Sequence, residues 1–168
     1  MVHVDKLTPH AVSSLKESFN NVPETDHKDG KYRLRRYSKV ELLMEPKQFK
    51  TLPVKEFNQS SDYNNFQGDV ERTFENVEDE TLQSKGMEEM LYLFRKLNHL
   101  PHETQVDIHQ MRVITLPNQT AEVSPEGAHQ DGYDCIAMFG ISRHNILGGE
   151  LLVSDSEIGE PFMTVPIN

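Results

Sequence analysis

The sequence contains no tryptophan and a single cysteine, Cys135, among its 168 residues. One thiol cannot close an internal disulfide, so a disulfide scaffold and a cysteine-rich zinc ribbon are both excluded. Long apolar runs are missing as well, and none approaches the roughly 20 residues that a membrane helix needs. Positive charge is scarce: 17 Lys and Arg stand against 27 Asp and Glu, for a formal charge of −10. Nucleic acid and anionic membrane surfaces are therefore repelled overall, and neither is expected as a partner. The opening Met1-Val2-His3-Val4-Asp5-Lys6 lacks the basic and apolar regions of a secretory signal, which reads as a cytoplasmic chain. Hydrophobic residues make up only 36%, below the usual share, so a small or incomplete core is expected in one domain spanning 1–168.

Against that background two helices and a β-rich second part stand out. Thr8-Pro9 reads as an N-cap followed by proline at the first helical position, and Val12, Leu15 and Phe19 recur at helical spacing. A second apolar stripe, Met87, Met90, Leu91, Phe94 and Leu97, ends before Pro101. Between them, Lys31 to Leu43 reads as a strand, and residues 44 to 81 read as loops with short strands around Tyr63-Asn64-Asn65 and Arg72-Thr73-Phe74. From Gln105 to Val153 the pattern predicts antiparallel strands. Val106, Ile108, Gln110, Arg112 and Ile114 alternate onto one face, and Asp107, His109, Met111, Val113 and Thr115 onto the other. The order predicts an α+β chain, with a helical and loop part over about 1–104 and a β-rich part over about 105–168.

Chemistry concentrates at His129 and Asp131, one residue apart, whose side chains share a side in an extended segment. An imidazole nitrogen with a carboxylate oxygen is part of the ligand set of a 2-His-1-carboxylate iron site, which leaves positions open for other ligands. Alone the pair is equally a loop feature, since His and Asp both favour turns. Arg112 shares its face with Gln110 and needs an acidic partner or an anionic ligand, either a carboxylate-bearing small molecule or an internal acid. Of the basic cluster Arg33, Arg35 and Arg36, alternation admits at most one to a pocket, and Arg36 is taken as that one. His109 reads as a surface or satisfied histidine, and Cys135 as a buried, inert thiol.

Several blocks in order, Lys28 to Ser38, Gln59 to Asn64 with Gly68, Arg72 and Phe74, Gln105 to Arg112, Ser124 to Asp134, Arg143 to Asn145 and Gly148 to Glu150, resemble the 2-oxoglutarate and Fe(II)-dependent dioxygenases that include bacterial free amino-acid hydroxylases such as isoleucine 4-hydroxylase. The resemblance implies a double-stranded β-helix, a jelly-roll, with flanking helices. It implies His129 and Asp131 as the first two iron ligands, 2-oxoglutarate as cosubstrate, succinate and carbon dioxide as products, and hydroxylation of a small molecule such as a free amino acid. The chain departs from the family pattern at Asp69, where a second glycine is expected, and in lacking a late histidine ligand and a late arginine for the cosubstrate. After Asp131 only His144 and Arg143 remain, both in a loop before Gly148. The expectation is thus a C-terminally shortened barrel, and the alternative reading is a catalytically inactive remnant acting as a binding or interaction module.

Overall fold

A computed structural model describes residues 2–54, 56–61, 66, 68–156 and 158–166. The expected strand at Tyr63-Asn64-Asn65, the Asp62-to-Asn64 part of its motif and the terminal Ile167-Asn168 lie outside the described residues. Helix α1 (Pro9–Lys16) starts as its sequence dictates: Thr8 is extended and its hydroxyl accepts from the Ala11 N–H, with Pro9 at the first position. It tightens into a 3₁₀ turn, Glu17–Asn21, before reaching Phe19. A short α2 (Asp79–Leu82) precedes α3 (Lys85–Asn98), which Ser84 caps through the Met87 N–H at 3.1 Å and His99 ends in the left-handed region at φ +53°. Gly86 lets α1 and α3 touch, since a Cβ there would lie 2.4 Å from Leu15 Cδ1 and 2.5 Å from the Ala11 carbonyl oxygen.

The main sheet contains β1 (Arg33–Leu42), β2 (Phe49–Leu52) and β3 (Gln105–Val113), antiparallel in the order β2-β1-β3. Register pairs Arg35 with Met111, Tyr37 with His109 and Lys39 with Asp107. Period-two alternation then sorts the side chains. Val40, Leu42 and Ile108 turn to the helices and close the core with Val77, Leu82, Met87 and Leu91. The buried Ser38 survives on that face because its hydroxyl accepts from the Val77 N–H at 3.0 Å. The opposite face carries Arg33, Arg35, Tyr37, Asp107, His109 and Met111, and it looks toward the loops around residues 57–74 and 126–133.

The antiparallel, mixed helix-and-sheet character matches the sequence reading, but the extent of the second part does not. Beyond β3 the described residues form only a hairpin of β4 (Leu151–Val153) and β5 (Met163–Val165), and 114–150 contains no paired strand. Alternation and apolar runs report an extended backbone, whereas a strand also needs a neighbour to take its N–H and C=O groups. Among the described residues, 114–150 has no such ladder partner. Residues Arg72-Thr73-Phe74 likewise contribute one isolated bridge, Phe57 to Arg72, rather than a strand. No helix among the described residues is long and apolar enough to cross a membrane.

Candidate metal centre

His129 and Asp131 lie in a non-helical segment between Gly127 and Gly132, whose φ angles of +76° and +74° bend the chain on either side. Their side chains meet, with His129 Nε2 3.1 Å from Asp131 Oδ1. The other ring nitrogen, Nδ1, lies 2.8 Å from the Gly127 carbonyl oxygen. A carbonyl only accepts, so Nδ1 carries a proton, and Nε2 is the ring nitrogen that faces the carboxylate. Two acceptors at that distance repel unless a proton or a metal cation sits between them. The chemistry of the pair, a neutral imidazole nitrogen and a hard oxygen donor, fits Fe(II). Gln59 supports it by donating to Asp131 Oδ1 at 3.1 Å, the outer-shell orientation that ligating carboxylates require. The two side chains remain 23% and 36% exposed, so other ligands can approach.

Behind the pair stands the polar face of β1 and β3. Tyr37 and Tyr133 each donate a phenol proton to one oxygen of Asp107, both at 2.9 Å, which ties the segment carrying Asp131 to the sheet. Burial first, and then Asp107, push both phenols well above the usual tyrosine range, so they stay protonated. His109 stacks on Tyr37 and meets the edge of Phe57, each at 4.8 Å between ring centres. Burial, with the charge of Arg35, depresses its pKa to about 3. Arg33 pairs with Asp29 at 2.5 Å and lies 3.8 Å from Glu126.

The remaining residues expected at the site belong elsewhere. Gln110, Arg112 and Arg36 occupy the helix-facing side of the sheet, because they alternate with the apolar residues that the helices cover. Gln110 donates to the Ser18 hydroxyl at 2.7 Å, and Arg112 reaches the carbonyls of Phe19 and Asn20 at 3.3 and 3.4 Å. Arg36 is held by Glu75 and Glu78 at 2.9 and 3.2 Å and by two carbonyls. These groups hold scaffold together and do not line the space around Asp131. His109, expected at the surface or satisfied, has its Nδ1 shielded from solvent without a hydrogen-bond partner. Cys135 is half-buried rather than buried. Asp69, standing where the family pattern has glycine, adopts the left-handed φ of +56° that glycine would suit, and its carboxylate accepts from the Ser61 N–H at 3.2 Å. His144 is exposed beside Asn145, and among the described residues no group of three His, Cys, Asp or Glu side chains is placed to hold a metal. The missed wall was traceable: if Val106, Ile108 and Ile114 need the helices, Asp107 and His109 must face the other way, and Arg33 and Arg35 with them.

The sequence profile of the 2OG-Fe dioxygenase family matches residues 16–167. Among curated proteins, none matches the chain significantly. Among solved structures the chain is similar to a bsmA homolog from Methylobium petroleophilum, with 27% identity and a TM-score of 0.54, over 73% of this chain and 51% of that one. It spans about half the length of that protein. The profile match contains the whole sheet, the helix α3 and the paired imidazole and carboxylate, and on that extent the chain belongs to the 2OG-Fe dioxygenase family, to which iron and 2-oxoglutarate are cofactor and cosubstrate.

Proposed function

We propose that this chain supplies the iron-binding part of an Fe(II)- and 2-oxoglutarate-dependent dioxygenase that hydroxylates a small molecule, specifically a free amino acid. One observation carries the reading: Nε2 of His129, whose Nδ1–H is held by the Gly127 carbonyl, opposes Asp131 Oδ1 at 3.1 Å. Held there with 2-oxoglutarate, iron would supply the reaction of dioxygen in which one oxygen atom enters succinate as carbon dioxide leaves and the other enters a substrate C–H bond as hydroxyl. The chain's own residues do the positioning. His129 and Asp131 are the proposed ligands, Gln59 orients the carboxylate, and Tyr37, Phe57 and His109 form an aromatic wall that keeps water from the reacting centre. In this reading 1–168 is one domain and the β2-β1-β3 sheet is one wall of a jelly-roll.

The second reading, a binding module without turnover, is favoured by the two-donor set among the described residues. Titration with Mn(II), followed by electron paramagnetic resonance, tests the site: His129→Ala and Asp131→Ala should each weaken binding at least tenfold. Unchanged binding in both variants removes the metal assignment. Succinate formation from 2-oxoglutarate under Fe(II) and air then separates the readings, since metal binding without succinate leaves the module.

A further inference from the structure

We infer that Arg35 and Arg72, flanked by Arg33, form a carboxylate-recognition site on the wall beside the metal centre. The inference rests on the metal-centre reading above. Arg72 is only 4% exposed, yet its Nε and Nη2 are shielded from solvent and meet no hydrogen-bond acceptor. Its guanidinium lies over the Phe57 ring at 4.8 Å. Arg35 donates to the Met111 sulfur at 3.8 Å, a weak acceptor, and lies over Phe74 at 5.4 Å. Aromatic faces attract cations but accept no N–H in the plane of a guanidinium. Arg33 takes Asp29 and lies 3.8 Å from Glu126; both acids act on Arg35 and Arg72 only at longer range, and among the described residues neither Arg35 nor Arg72 forms an ion pair.

Buried polar charge in a folded protein is normally paired, and two guanidiniums left without an oxygen acceptor point to an anion that arrives from outside. A carboxylate is the fitting shape, because its two oxygens match the guanidinium fork. The location agrees with a ligand of the metal centre. Arg72 is bridged to Phe57 by backbone hydrogen bonds of 2.8 and 2.9 Å, and the Phe57 ring rests on Tyr37 and His109. Tyr133, two residues from Asp131, donates to the same Asp107 carboxylate as Tyr37. The carboxylate belongs either to 2-oxoglutarate or to an amino-acid substrate, and one titration distinguishes them.

The full 168-residue chain would be titrated with 2-oxoglutarate, L-isoleucine and L-isoleucinamide, with and without Mn(II), by calorimetry and thermal melting. Expected is binding and a raised Tm with one of the two acids, none with the amide, and at least a tenfold affinity loss in Arg35→Met and Arg72→Met. The acid that responds identifies the source. Because no ion pair is lost, the ligand-free Tm of both variants should equal or exceed that of the unmodified chain. A lowered ligand-free Tm in both, unchanged affinity in both, or failure of both acids to bind the unmodified chain overturns the inference. If Mn(II) binding depends on His129 but no acid binds, the recognition site alone falls. If an acid binds through Arg72 while Mn(II) ignores His129→Ala, the metal reading alone falls.

Discussion

Burial holds the His109 imidazole neutral down to about pH 3, whereas the same side chain in the unfolded protein takes up a proton near 6.5. Between those values the unfolded state binds more protons, so stability rises with pH through that window and is flat above it as far as this group is concerned. One proton contributes a slope of at most about 1.4 kcal/mol per pH unit. Urea denaturation between these limits should therefore show a shallower pH dependence for His109→Phe than for the unmodified chain. Parallel curves would mean that the folded protein protonates this ring normally. Arg112 gives the opposite kind of test. Arg112→Met removes the hydrogen bonds to the Phe19 and Asn20 carbonyls and should cost about 0.5–1.5 kcal/mol in denaturation, with no effect on 2-oxoglutarate or amino-acid binding. A binding defect would return Arg112 to the site.

Among the elements, the contact of α1 with α3 is the least forgiving. Gly86→Ala would push a methyl group into Leu15 and the Ala11 carbonyl, and a loss of about 1–3 kcal/mol is expected from overpacking. An equal or higher urea midpoint would show that the helices separate freely. Both helices, β1 and β3 were legible because each is long enough for its period to repeat and because Thr8-Pro9 announces a start. Helix α2 and strand β2, four residues each, are too short to show a period and exist through what they touch. Alternation in β3 separates the sheet's two faces but does not say which of them the helices cover: Arg112 shares its face with Ile108, which the helices bury, so the face toward the site is the other one. The pairing of His129 with Asp131 needed only local spacing. Arg72 was beyond reach, because it joins Arg35 through a bridge to Phe57 that no local pattern encodes.

At the scale of the molecule, apolar side chains crowd the second part without cover. Ile136 is 53% exposed, Met138 55%, Leu152 60% and Leu147 99%, and the extended segment around the first two has no ladder partner among the described residues. Uncovered backbone of that kind templates association between chains. The weight-average mass of the 168-residue chain from light scattering should rise with concentration, and the double change Ile136→Lys with Met138→Lys should suppress that rise. A mass that stays at the monomer value at every concentration would show that these groups are covered in solution.

Asp107 gives the site a further property. A carboxylate has no proton to offer, so with Tyr37 on one oxygen and Tyr133 on the other, the single proton of each phenol is committed. Both phenol oxygens can then greet a newcomer only as acceptors, while Arg35 and Arg72 can greet it only as donors. Lys39 adds an ammonium 3.3 Å from the oxygen that Tyr37 binds, so the Asp107 carboxylate, held by two phenols and a cation, is itself closed to a ligand. What this end of the wall offers a newcomer is phenol lone pairs, while the arginine end offers only N–H donors.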